Sequence, residues 1–191
     1  CLVGSEMCIR DRSIVLSQKI LIPMDNVQTN HLKAYGIAFL HLENGNEIEW
    51  LLNYRGGSFL MDNQDNVENT CLVRGVNYEM INSTALSEIF TTIESNNMDI
   101  ILLEKVPKIA VYSPPGKQHW DDAVTLALTF ADIKYDVVFD DEVMSNKIND
   151  YDWLHLHHED FTGQYGKFYR SYRNKPWYKK MESDFNNTAT K

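Results

Sequence analysis

The sequence lacks any apolar run near the roughly 18 residues that a membrane-spanning helix needs, which leaves a water-exposed fold. It has no surplus of base either: 18 Lys and Arg face 27 Asp and Glu, a formal net charge of -9. A nucleic-acid duplex or an anionic membrane is therefore a poor main partner, because phosphate binding needs a basic face. Cysteine is scarce, with three in 191 residues. No Gly-x-Ser-x-Gly or Gly-x-Cys-x-Gly elbow occurs, and no P-loop spacing occurs. No fixed-period repeat is visible. What is present is ordinary globular composition, 43% hydrophobic and 24% charged. A compact chain of this length buries roughly 70% of its unfolded surface, enough for a core.

Cys1 to Arg12, CLVGSEMCIRDR, has no periodicity and resembles the translation of a sequencing-adapter oligonucleotide. It is read as an artefact, or otherwise as a disordered arm, and set aside. Its two acids cancel its two bases, so the net charge stays. Cys71 is then the single remaining cysteine and no intrachain disulfide is possible. A lone cysteine is usually a small buried apolar residue. The apolar segment from Ser13 to Gln18 reads equally as a signal-peptide remnant or as the opening of a strand.

The following segments alternate between strand and helix. Lys19–Met24 reads as a buried strand. A helix then carries Val27, His31, Ala34, Tyr35, Ala38 and Leu42, stopped by Asn44-Gly45. Glu47–Asn53 returns as a strand, and Arg55-Gly-Gly-Ser58 as a tight turn only weakly like a phosphate loop. This order implies a βαβ unit with parallel pairing. Residues 62–69 read as an exposed polar loop, Val76–Ile81 as a strand, and Asn82 or Ser83 as the cap of a helix through Ile93. Met98–Leu103 is a strand, and Glu104–Pro107 a subdomain linker. Beyond it, Lys108–Tyr112, Tyr135–Phe139 and Asp152–His157 read as parallel strands covered on both faces, with a helix from Asp121 or Asp122. Phe168 to Lys180 is aromatic, basic and helical, with an interruption at Pro176. The domain division is 13–105, an N-terminal α/β subdomain, and 106–191, a second α/β subdomain with fewer strands than a complete doubly wound sheet.

In parallel α/β sheets, ligands bind outside the carboxyl ends of the strands. Three of these strands end in polar clusters. Ser113-Pro-Pro-Gly-Lys-Gln-His119 leads into a helix N-terminus, where backbone amides favour anions; Ser113, Gly116, Lys117 and His119 are candidate ligand-binding residues. Asp140 and Asp141 follow the next strand as further candidates. The run from His155 to Asp160 is the densest in chemistry, and His157, His158 and Glu159 are candidates for proton transfer or substrate positioning. A metal site using His155, His157 and Glu159 is a weaker reading, against a buried His155 with a hydrogen-bonded turn behind it. No metal or cofactor is assigned; the expected partner is a small-molecule ligand, and oligomeric state is left open.

The runs ILIPMDNVQTNHLKAYGIAF (20–39), EWLLNYRGGSF (49–59), PKIAVYSPPGK (107–117), WDDAVTLALTFADIKYDVVFDDEV (120–143) and DYDWLHLHHEDFTGQYGKFY (150–169) resemble one bacterial family, whose members are commonly labelled asparagine synthetase B. The resemblance spans about residues 19 to 180. It implies a mostly parallel, flavodoxin-like, class I glutamine-amidotransferase-like three-layer α/β fold, incomplete at the C-terminus of this chain. It also implies an exported, periplasmic location (a cytoplasmic one being the alternative), and a Cys-containing turn beyond Lys191. Arg55-Gly-Gly-Ser-Phe-Leu60 is not the Ser-Gly-Gly-x-Asp-Ser ATP loop of an authentic B-type asparagine synthetase, and Cys1 is followed by Leu2-Val3 in the adapter-like segment. The resemblance therefore carries the fold and the family, not the reaction. The chain reads as the N-terminal fragment of an amidotransferase-like protein, inactive by itself, or as a non-catalytic exported ligand-binding module, or more weakly as a metal hydrolase.

Overall fold

The computed structural model describes residues 18–64, 66–113, 122–156 and 164–184. Two sheets account for the strands. The first has five, in the order β4-β1-β3-β2-β5: β1 (Lys19–Ile22), β2 (Ile48–Leu52), β3 (Ser58–Asp62), β4 (Glu79–Ile81) and β5 (Asp99–Leu103). The second has three, in the order β7-β6-β8: β6 (Ile109–Tyr112), β7 (Asp136–Val138) and β8 (Trp153–Leu156). The helices are α1 (His31–Glu43), α2 (Val67–Arg74), α3 (Ser83–Ser95), α4 (Ala123–Phe130), α5 (Asp140–Met144), α6 (Gln164–Tyr172) and α7 (Pro176–Asp184). Residues 104–108 lead from β5 of the first sheet to β6 of the second.

Side chains alternate across a strand, and here the alternation sorts one sheet into two cores. Ile20, Ile22, Ile48, Phe59 and Met61 face α1 and α2, packing with Ala34, Ile37, Ala38, Leu42, Val67 and Cys71. Leu21, Leu51, Leu60 and Ile81 face the other way, onto Ile89 and Ile93 of α3. The continuous apolar runs Ile-Leu-Ile in β1 and Phe-Leu-Met in β3 follow from this two-sided burial.

The first sheet corrects the expected parallel pairing. β1 and β2 run in the same direction on either side of α1, but β3 lies between them, antiparallel to both, and every ladder of this sheet is antiparallel. The chain as a whole is thus mixed rather than mostly parallel. The cause is the turn after β2. Asn53, Arg55, Gly56 and Gly57 all take left-handed backbone angles, which reverses the chain tightly enough for β3 to pair directly with β2. A Cβ on Gly56 would sit 2.4 Å from the Met24 carbonyl oxygen, so the turn also docks onto the end of β1. Arg55 is held in its strained conformation by Asp25 (2.8 Å) and Glu79 (2.7 Å). Arg55–Ser58 is therefore a hairpin turn. Part of the expected polar loop is helical as well: Val67 and Cys71 of α2, one turn apart, bury against α1, and Gly75 ends the helix at φ 68°.

The second sheet is parallel throughout. β6, helix α4 and β7 form a βαβ unit with adjacent strands, and β8 pairs on the other side of β6. Coverage of all three strands on both faces was expected, and only the central β6 has it. Val137, Trp153 and Leu154 remain 44%, 42% and 36% exposed, because β7 and β8 are edge strands among the described residues.

The two sheets meet where α1 crosses the end of α4. Gly36 has no room for a side chain, since a Cβ there would lie 1.8 Å from the Ala131 carbonyl oxygen. Asp132, at φ 58°, receives Lys33 (3.0 Å) and Arg74 (3.5 Å), while Lys134 reaches Glu43 (2.7 Å). In an ordinary helix Gly→Ala is stabilising by up to about 1 kcal/mol. At this contact the sign reverses: Gly36→Ala is expected to destabilise the protein by about 1–3 kcal/mol, as overpacking does. Urea unfolding measures it, and an unchanged or higher midpoint would show that α1 and α4 do not meet in this way.

Candidate functional site

Parallel pairing brings the carboxyl ends of three strands to one edge. In the register, Tyr112 lies beside Val138 on one side and Leu156 on the other. The residues that follow, Ser113, Phe139 and Asp140, are therefore delivered to the same rim. Ser113 continues the ladder: its N–H donates to the Val138 carbonyl at 3.0 Å. It is 1% exposed, and its hydroxyl Oγ has no hydrogen-bond partner among the described residues. A buried hydroxyl without a partner costs free energy.

A second such atom lies on the neighbouring strand end. Asp140 opens α5; its Oδ1 accepts the Tyr112 hydroxyl at 2.6 Å, while its Oδ2 is buried with no partner among the described residues. The Tyr112 ring stacks at a tilt on Phe139, with centroids 5.2 Å apart, which fixes the direction of the phenol. Glu142 turns back to accept the Phe139 N–H at 3.0 Å, and this bond holds its carboxyl below the usual range. Asp141 is exposed and stands outside this group.

A third element comes from the helix on the β6–β7 crossover. Asp122 caps α4, its Oδ1 accepting the N–H groups of Val124 (2.7 Å) and Thr125 (3.3 Å). The same oxygen receives Nε2 of His155 at 3.1 Å. His155 is level with Val111 in the β6–β8 ladder, so its ring points to the same sheet face as Val111. Burial works against the Asp122 charge. The two backbone N–H groups and the His155 ring outweigh it and hold the carboxyl below its ordinary value. Donation to this carboxylate puts a proton on Nε2 of His155 and fixes the direction of the ring.

Of the residues expected from the sequence, Ser113 and Asp140 come together on the rim, and Asp141 does not join them. Gly116, Lys117, His119, His157, His158 and Glu159 lie outside the described residues. The sequence singles out neither Tyr112 nor Asp122 as a site residue, and names His155 only as a weaker candidate metal ligand or a buried histidine. A strand-terminal tyrosine looks like core, and Asp122 carried only a helix-start signal. Among the described residues no three His, Cys, Asp or Glu side chains are grouped to hold a metal ion, and no helix is long and apolar enough to cross a membrane. Cys71 is buried in the α1–α2 layer, where burial pushes its thiol up to about 11, so it holds almost no thiolate at neutral pH.

The Asp122–His155 pair has a defined pH signature. Asp122 ionises more easily in the folded state, so its contribution is present above the unfolded value near 3.8 and is lost as pH falls through the lower folded value. Asn caps a helix as well as Asp, so Asp122→Asn removes the charge and keeps the cap. The wild type is expected to be more stable than Asp122→Asn at neutral pH, with the advantage vanishing below the carboxylate range. Asp122→Ala is expected to lose about 1 kcal/mol more by losing the cap. Denaturant titrations of the three proteins at pH 7 and pH 3 measure both effects.

Comparison with protein-family models, with curated proteins and with solved structures finds no match to this chain.

Proposed function

We propose that the carboxyl edge of β6, β7 and β8 is a binding site for a small polar ligand, on an α/β unit of flavodoxin-like, glutamine-amidotransferase-like type. The chain is then part of a protein resembling the family labelled asparagine synthetase B, and its exported location is part of the same reading. The observation that carries the proposal is the pair of buried, unpartnered atoms on one rim, Ser113 Oγ and Asp140 Oδ2. The hydroxyl can donate or accept and the carboxylate can only accept. Together they suit a ligand with an amide or amine that donates to Asp140 and a second polar atom that meets Ser113.

Catalysis is a separate matter from binding. Covalent amide hydrolysis needs a nucleophile activated by a neighbouring base. Ser113 Oγ has no base bonded to it, and Cys71 is a buried thiol in another layer. These two facts favour the reading in which this chain supplies ligand contacts without carrying out the reaction. A metal-hydrolase reading is less supported, because His155 directs its Nε2 to Asp122.

The test uses the 191-residue chain with L-glutamine and L-asparagine as probes. Amide resonances at Ser113, Phe139 and Asp140 are expected to shift on titration with one of the two. Ser113→Ala and Asp140→Asn are each expected to weaken binding about tenfold, the equivalent of about 1.4 kcal/mol for a lost buried hydrogen bond. No ammonia release is expected from either probe. Shifts that leave this rim untouched would remove the site assignment. Ammonia release abolished by Cys71→Ala would overturn the non-catalytic reading.

A further inference from the structure

The two edges of the five-stranded sheet are unlike. At one edge, β4 has three residues, and Glu79 on it is tied to Arg55. Short length and charge are two of the ways by which proteins blunt a sheet edge. At the other edge, β5 reads Asp99-Ile-Ile-Leu-Leu103, with no proline and no charge inside the apolar stretch. It pairs only with β2, and no strand lies on its outer side among the described residues. Its side chains are exposed on both faces of the sheet: Ile100 and Leu102 on one face are 36% and 50% exposed, and Ile101 on the other is 38% exposed. A five-residue apolar edge with no strand on its outer side is a template for another strand; the Ile100 N–H there is held by the Asp99 carboxylate at 2.8 Å.

We propose that β5 pairs antiparallel with β5 of a second copy of this chain, about a two-fold axis at Ile101, making one continuous sheet across both copies. Self-complementarity is what selects a second copy as the occupant. A two-fold contact uses the same patch twice, so the strand must match its own reverse. About Ile101 the three central residues do: Ile101 falls opposite itself and Ile100 opposite Leu102, so apolar side chains meet on both faces, while Asp99 falls opposite Leu103 at the ends of the pairing. Outside this stretch the charges also match: Lys105, exposed just past β5, lies diagonal to Asp99 of the other copy, within reach of its long side chain. The pairing covers Ile100, Ile101 and Leu102 at once. It is independent of the ligand site, which lies on the other sheet.

The register makes the proposal specific. Residue 101 is the only position in β5 that faces its own copy, and facing positions on antiparallel strands bring Cβ atoms to about 4.5–5.5 Å. In a Cys1→Ser, Cys8→Ser background, Ile101→Cys is expected to oxidise to a covalent dimer. Leu103→Cys is not, except when mixed with Asp99→Cys. Sedimentation velocity of the unmodified chain is expected to show a dimer, and Ile101→Lys to weaken it at least tenfold with an unchanged far-ultraviolet circular dichroism spectrum. A monomer at all concentrations tested would overturn the proposal. So would a dimer that Ile101→Lys leaves intact, or efficient crosslinking through Leu103→Cys alone. If Ile101→Lys fails to fold, the crosslinking pattern decides by itself.

Discussion

The first half of this protein depends on the burial of β3 on both faces. Ser58, Phe59, Leu60 and Met61 are all buried, so this strand belongs at the centre of a sheet with helices above and below. Once β3 occupies that slot, much else is set. β1 and β2 must flank it, Ile20 and Ile22 must share a core with α1, and Leu21 must share one with α3. The left-handed turn at Asn53–Gly57 makes the placement possible, because only a tight reversal lets β3 return alongside β2. The strain at Arg55 is offset by its two carboxylate partners.

The second half follows a different rule. Its strands are parallel, so each must be reached by a crossover, and all three carboxyl ends arrive on one rim. The geometry there collects polar groups that the chain keeps far apart: Tyr112 with Asp140, and Asp122 with His155. Asp122 does two things with one oxygen, starting α4 and orienting a histidine of β8. Stability and the shape of the site are thereby coupled at a single carboxylate. The joint at Gly36 and Ala131 then fixes this half against the first, through contacts that tolerate no added methyl group.

Much of this was legible in the residues. Short apolar runs located seven of the eight strands of the described residues to within a few residues, because their apolar residues face a core. Asn82 or Ser83, and Asp121 or Asp122, mark helix starts in the sequence, and the structure selects the side-chain oxygens of Asn82 and Asp122 as the caps. Ser113 and Asp140 were legible as a shared rim, since a strand–helix–strand order implies parallel direction and a common edge. The strand β3 and the helix α2 were less so. Gly56 and Gly57 dominated the first, and the polar residues 62–69 masked the second, whose helicity rests on Val67 and Cys71 meeting α1.

The sequence by itself determined local structure and direction: which segments are apolar, where α3 and α4 begin, and that β6, β7 and β8 end together. Those properties depend on neighbours within a few residues or on the handedness of a single crossover. Only the tertiary structure decided that β3 separates β1 from β2, that His155 meets Asp122 across 33 residues, and that Ser113 Oγ and Asp140 Oδ2 are buried without partners. Pairing order between strands is a competition among edges with similar apolar patterns, and the satisfaction of a buried atom depends on every group packed around it. Neither is encoded at any one position in the chain.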